Sequence, residues 1–410
     1  MTNDILFDDK EKRSHDKREQ DLFDNFEKTF SLVKNNSEFY SRTLSNFAKA
    51  PKSRDELAML PILRKSDLTE IQKKHLPFGG ISPSNSKFQR IFSSPGPIYD
   101  PQGMDDDYWR ISRALWAAGI RPDMIVHNTF SYHLTPAGFM IDGACKKIGC
   151  TVIPGGIGNT EQQVDVIRDL KPNAYVGTPS FLRILLEKSN ELGYEIPDLK
   201  IAVVGGEPLF PEVKKFILER EIKITQFYGT ADVGLISYEI EGEPGMIVDE
   251  DIILEIVRPG SGEVLSDGEV GEIVCTNLNS TYPLIRFATG DMTKIIPSPE
   301  LSPRTNTRIN GWMGRADQTV KVRGMFIRPN QISEIIKNFN FKKVRLEIES
   351  NTQGLDVPIF YIEQNTFDDN LKDKVKDSFK NITKINADIK FVEEKSLQND
   401  GLIIADKRKL

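Results

Sequence analysis

The chain has 410 residues, room for two or three domains at roughly 150 residues each. Its 39% hydrophobic and 28% charged residues exclude a mostly disordered chain, and a formal net charge of −6 excludes the broad positive field of a nucleic-acid binder. The three cysteines (Cys145, Cys150, Cys275) form no CxxC pair, which excludes a disulfide framework, and no apolar run approaches the ~18 residues of a membrane span.

The start, MTNDILFDDKEKR, is polar and acidic with no apolar signal core, so a cytoplasmic protein with no membrane partner is expected. Over residues 9–49 the spacing of Leu22, Phe23, Phe26, Phe30, Leu32 and Val33 predicts an amphipathic helix, with the charge-rich beginning as its solvated face. Residues 53–74 read as a helix, a Pro-containing turn and a second helix capped by Ser66. From about residue 88 strands and helices alternate. QRIFSS is a strand running into a Pro/Gly turn, and residues 104–119 are a helix. MIVHNTF, TVIPGG, NAYVGTPS, IAVVGGEP and ITQFYGTADVG are strands, with helices between them. This alternation predicts βαβ units and a largely parallel sheet. After about residue 240, DIILEIVRP, GEIVCTNL and MTKIIP are β-like runs between Gly, Pro and Asp turns. From about residue 317 a compact α+β pattern follows, including a helix over 367–380. The expected architecture is α/β. A large N-terminal region (1–316) carries a mostly parallel sheet plus a β-rich subdomain at about 240–316, and residues 317–410 form a small α+β domain.

Four segments place glycines, hydroxyls or an acid where a predicted strand ends, the position at which open α/β sheets bind ligands. IFSSPGPIYDP (91–101) offers Ser93, Ser94 and Gly96 to a phosphate, or is simply a Pro-shaped loop. VVGGEPL (203–209) puts Gly205 and Gly206 where a flat ligand can approach the backbone, or makes a tight turn. QFYGTADVG (226–234) supplies a ring (Tyr228), a sharp turn (Gly229), a hydroxyl (Thr230) and a carboxylate (Asp232). PLIRFATGD (283–291) ends in Asp291, suited to a ribose diol, and Arg315 and Asp317 further on could clamp a phosphate or ribose or pair as a surface bridge.

In this order the segments resemble the adenylate-forming acyl/aryl-CoA ligase superfamily, and within it the phenylacetate–CoA ligase family. FYSRTL (39–44), LPILRKSDL (60–68), PGGIGNTEQQVDVIRDLKP (154–172), VGTPSFL (176–182), NLNSTYPLIRFATGD (277–291) and RGMFIRPNQISEII (323–336) carry the resemblance further. It implies a two-step ligase: ATP and a carboxylic acid give an acyl-adenylate, then coenzyme A displaces AMP, with Mg²⁺ on the phosphates. It also implies a small C-terminal domain that swings between the two half-reactions.

By position, the resemblance assigns Ser93, Ser94 and Gly96 to the phosphate loop and Gly205, Gly206, Glu207 and Pro208 to the adenine side. Tyr228 and Gly229 match the adenine-stacking pair, with Thr230 beside them, and Asp232 the acid near the metal. Asp291 matches the ribose-binding acid, Arg315 a nucleotide-contacting arginine, Asp317 the hinge and Gly324 the pantetheine approach. HNTFSYHLTPAG (127–138) matches the stretch lining the acyl site. Phe130, Tyr132, Phe139 and Tyr175 are a candidate aromatic wall or core, and His133 either meets a polar substituent or fills space. The implied substrates are CoA and an aryl, arylacetic or small polar acid, and a homodimer follows family habit.

The departures fall on phosphate handling. The family's Ser/Thr/Gly run followed by Lys is here SSPGPIYDP, with Tyr99 near the lysine position and prolines that remove N–H donors. Ala231 and Asp232 replace the usual hydroxyl and Glu. Leu402 stands close to the C-terminal lysine position, and Lys407 or Lys409 substitutes only if the tail is realigned. The alternative is a homologue that binds a nucleotide, a CoA thioester or a small acid without adenylating.

Overall fold

The computed structural model describes residues 5–94, 97–300, 302–316, 318–364, 369–394, 396–398 and 402–408. The chain divides into two compact units, residues 1–209 with 214–312, and residues 210–213 with 313–410. Gly96, Asp317 and Lys409 lie outside the described residues.

The first unit is built on a nine-stranded sheet. Strands Thr151–Pro154, Ile125–Asn128, Ala174–Gly177, Ile201–Val204 and Lys223–Thr230 lie side by side and parallel. Their apolar runs AYVG and IAVV are buried almost throughout, as strands covered on both faces should be. Local chemistry sets the helices between them. Thr178 caps Pro179–Glu191 by accepting from the Phe181 N–H, with Pro179 at the first turn. Gly149, at φ 96°, ends Ala137–Ile148 in the left-handed conformation.

Beyond Thr230 the same sheet continues antiparallel through Gly234–Glu239, Met246–Val248, Arg308–Ile309 and Ile295–Ile296. The β-runs after residue 240 are therefore shared between two sheets. Ile252–Val257, Gly271–Asn277 and Phe287–Thr293 form the second sheet, and Leu63–Arg64 joins it from far upstream. All six residues of Ile252–Val257 are buried, so this strand has no solvent face.

Three local expectations need correction. The helix expected over 104–119 is reduced to Ser112–Ala117. Arg110 has φ 63°, which breaks a helix, and its guanidinium reaches Asp249 at 2.7 Å, while the Asp107 carboxylate accepts from the Ser112 N–H at 3.3 Å. Ser66 caps no helix: its hydroxyl donates to Asp67 at 3.2 Å, and Leu68–Lys74 has no side-chain cap. The charge-rich start is only partly a solvated face. Glu11 and Arg18 are buried, Glu11 against Arg113 (2.9 Å) and Arg304 (2.8 Å), Arg18 against Glu250 (2.9 Å). The amphipathic helix itself runs His15–Asn36, capped by Ser14, and buries Leu22, Phe23, Phe26, Phe30 and Val33.

The second unit carries a hairpin (Val320–Val322 with Met325–Ile327) and a four-stranded sheet in the order Asp388–Val392, Asp356–Glu363, Val344–Ser350, Ile404–Asp406. Helices Pro329–Phe339 and Asp369–Thr383 contribute Ile332, Ile335, Val375 and Phe379 to its core, against Leu346 and Phe360. Among the described residues no helix is long and apolar enough to cross a membrane.

Candidate active site

Of the segments singled out in the first unit, VVGGEPL and QFYGTADVG lie at the carboxyl ends of parallel strands, whereas residues 91–101 form a separate two-stranded hairpin and Asp291 lies in the second sheet. Gly205 follows Val204 directly. A Cβ there would lie 2.9 Å from the Phe227 ring and 3.0 Å from its carbonyl oxygen, so only hydrogen fits. Gly206 turns at φ 77°. Glu207 accepts from the Ser180 N–H at 2.7 Å and ties this turn to the start of the preceding helix Pro179–Glu191; Pro208 follows, half-buried. Lys223–Thr230 bulges between Tyr228 and Gly229, and a Cβ on Gly229 would meet the Gly234 carbonyl at 2.6 Å. The Thr230 hydroxyl accepts from the Val233 N–H at 3.1 Å and fixes the turn that carries Asp232.

Two polar clusters follow. In one, the Tyr228 phenol donates to Asp291 Oδ2 at 2.7 Å and the Trp312 indole N–H donates to Oδ1 at 3.0 Å. Burial, then the charge of Asp291, holds the phenol well above its usual range, so it stays a donor. A carboxylate offers about four lone-pair sites. Asp291 is thus anchored through both oxygens.

In the other, the Lys65 ammonium bonds Asp232 Oδ2 at 2.5 Å. Burial alone would lower Lys65; the charges of Asp232, then Asp100 and Asp291, outweigh it and leave the ammonium favoured. The Ser94 hydroxyl donates to Asp100 Oδ2. Burial, then the neighbouring Asp232, pushes Asp100 well above the usual carboxylate range. Asp100 and Asp232 are 1% and 5% exposed, and the Oδ1 of each has no hydrogen-bond partner.

Ser93 pairs with Tyr99 across the strands Arg90–Ser94 and Ile98–Gln102, and its N–H donates to the Leu134 carbonyl at 2.8 Å. The Tyr99 side chain packs against the core and its backbone is held by Gln72, while the ammonium beside Asp232 is that of Lys65. Phe130 packs edge-on against Phe227, centroids 6.1 Å apart. Tyr132 donates to Asp142 and accepts from the Asn128 amide, both at 2.7 Å, and its ring meets Phe139. Tyr175 is fully buried and its hydroxyl is committed to Thr129 and the Thr178 carbonyl, which places it beneath the loop. His133 is exposed and so does not fill core space.

Arg315, Gly324, Leu402 and Lys407 belong to the second unit. Arg315 is half-buried. Gly324 turns the hairpin at φ 82° with open space where a Cβ would stand. Leu402 is exposed; Lys407 lies 3.9 Å from Glu347.

Sequence reasoning missed Lys65, Asp100 and Trp312. The first two lie inside motifs already noted, LPILRKSDL and SSPGPIYDP, but nothing local marks them as partners of Ser94 or Asp232.

Residues 129–280 match the family model described as AMP-binding enzyme. The chain is similar to the phenylacetate-coenzyme A ligase of Thermus thermophilus, 31% identical over 316 residues, covering 73% of this chain and 70% of the relative. It is similar to that of Escherichia coli K12, 32% identical over 316 residues with coverage of 73% and 70%. Among solved structures, 2-hydroxyisobutyryl-CoA ligase in complex with 2-HIB-AMP and CoA shares the fold, with TM-score 0.80, 21% identity, and 98% and 92% of the two chains covered. On the identity and coverage of these relatives, the chain belongs to the phenylacetate–CoA ligase family of adenylate-forming, AMP-binding enzymes.

Proposed function

We propose that the protein is an ATP-dependent carboxylate–CoA ligase. A carboxylate oxygen of the acid attacks the α-phosphorus of ATP, and pyrophosphate leaves. The CoA thiolate then attacks the acyl carbonyl carbon, and AMP leaves with the bonding pair. The observation that carries this reading is the doubly anchored Asp291 beside Tyr228, in one unit with the Lys65–Asp232 pair. Asp291 would accept from the ribose hydroxyls and Tyr228 would face the base across the Gly205–Gly206 turn, with Glu207 and Pro208 shaping its edge. Lys65 would meet the phosphates, supplying the cation that the loop lacks.

The residues also suit Mg²⁺, because Asp232 Oδ1 is a buried hard oxygen donor without a partner. Bound there, the ion would offset charge on the departing pyrophosphate. In the second unit we assign Arg315 to the nucleotide, Asp317 to the hinge, Gly324 to the pantetheine approach and Lys407 to the acyl phosphate. Phe130, Tyr132 and His133 are assigned to the acid-binding region, for an aryl, arylacetic or small polar acid, with Tyr175 supporting that region from within the core.

One observation favours a second reading, nucleotide binding without adenylation: the Ser94 hydroxyl is given to Asp100 and not left for a phosphate. ATP–pyrophosphate exchange with Mg²⁺ across a panel of aryl, arylacetic and short polar acids separates the two. Acid-dependent exchange establishes adenylation and the substrate class. Silence across the panel, with AMP binding retained in calorimetry, establishes the second reading.

A further inference from the structure

Asp100 has no counterpart in the roles assigned so far, yet its surroundings are built. It lies on the strand Ile98–Gln102, 1% exposed, with the charge of Asp232 acting on it. Each of the two carboxylates is held by one oxygen. Ser94 donates to Asp100 Oδ2, and Lys65 donates to Asp232 Oδ2. Each leaves Oδ1 buried with no partner. Two carboxyl groups buried side by side are costly as a pair of anions, and either a shared proton or a bound cation offsets that cost. The Lys65 ammonium is already bonded to Asp232 Oδ2, so it leaves the Oδ1 atoms of Asp100 and Asp232 without a cation among the described residues. A polyphosphate entering here would add further negative charge. Hard oxygen donors in a pair are the ligand type of Mg²⁺ or Mn²⁺, which take one or two carboxylates and complete the octahedron with phosphate and water. Among the described residues no group of three His, Cys, Asp or Glu could hold a metal ion by itself, so phosphate oxygens would have to complete any shell here.

We propose that Asp100 is a second carboxylate ligand, beside Asp232, of a divalent-cation site completed by the phosphate oxygens of the bound nucleotide. The proposal rests on the nucleotide reading above. It gives the altered phosphate loop a physical role: where the loop has lost N–H donors and a lysine, Asp100 recruits a metal ion to do their electrostatic work.

The test is ATP and AMP affinity by calorimetry, with and without Mg²⁺, for the wild-type chain and Asp100→Asn. Asparagine keeps an acceptor for Ser94 and removes the charge. In the wild type, Mg²⁺ should tighten ATP binding. In Asp100→Asn, metal-free ATP should bind as well as or better than in the wild type, and the gain from Mg²⁺ should shrink by about 10–100-fold. AMP affinity should be unchanged. A merely structural acid would instead weaken ATP and AMP alike, with the Mg²⁺ gain intact, and that result would overturn the proposal. If Asp100→Asn does not fold, Asp100→Ser is read in the same way. A wild-type chain that binds neither nucleotide removes the nucleotide reading and this inference together. ATP binding with an undiminished Mg²⁺ gain in the variant removes the inference alone.

Discussion

The Tyr228 phenol and the Asp291 carboxylate meet at 2.7 Å across 63 residues of sequence, and the Trp312 indole holds the other oxygen of Asp291 at 3.0 Å. An acid fixed at both ends is held in one orientation, as recognition of a diol requires. Asp291→Ala should therefore weaken ATP and AMP equally, by about 10–100-fold, the range for loss of hydrogen bonds to a charged group. Calorimetry with both nucleotides checks this, and unchanged affinity would remove the ribose assignment. Tyr228→Phe should weaken both less, since Trp312 still orients the acid.

Lys65 bonds Asp232 beside the candidate phosphate site, so Lys65→Met should lower acid-dependent pyrophosphate exchange by about 10²–10³ while AMP affinity is little changed. It also leaves Asp232 buried and unpaired, so thermal unfolding should come at a lower temperature. Tyr99→Lys should not rescue exchange. The Tyr99 side chain packs against the core, so a lysine there loses packing without reaching the site.

Asp107 gives a pH signature. Burial raises its folded-state pKa from 3.8 to about 6, and hydrogen bonds from Ser112 offset part of that. A carboxyl whose folded pKa is raised contributes stability below its unfolded pKa, and that contribution is lost as pH climbs through the folded value. The wild type should thus lose stability between about pH 4 and pH 6. Asp107→Asn, which keeps an acceptor for Ser112, should lose less. At pH 7.5 the variant should be the more stable by on the order of 1–2 kcal/mol, allowing for the partial exposure of Asp107. Denaturant unfolding at pH 4.5 and 7.5 reads the crossover; parallel pH dependence in the two proteins would contradict it.

Gly205→Ala tests the approach of the turn to Phe227. The added methyl meets both the ring and a backbone oxygen at about 3 Å, and the backbone cannot swing aside as a flexible side chain would. A cost of about 1–3 kcal/mol in unfolding free energy is expected, with a fall in AMP affinity. Wild-type values for both would show that the turn has slack.

The sequence by itself determined what depends on near neighbours. Helix His15–Asn36 follows from apolar spacing and the Ser14 cap, and Thr160–Leu170 is one of the helices expected between the strands. The strand runs AYVG and IAVV, and the glycines and acids that follow strand ends, were legible for the same reason. Where a local signal met a distant partner, the partner won. The helix expected over 104–119 was cut short because Arg110 turns to Asp249, and Glu11 and Arg18 left the solvent for Arg113, Arg304 and Glu250.

Only the tertiary structure decided the chemistry of the site. Lys65 reaches Asp232 across 167 residues, and Trp312 reaches Asp291 across 21. Those meetings depend on sheet order and register: Leu63–Arg64 pairs beside Phe287–Thr293, which brings Lys65 toward the strand that carries Asp291. A motif reports which side chains the chain owns. Which of them share a buried volume, and so shift one another's charge, is set when the long-range strand pairs form.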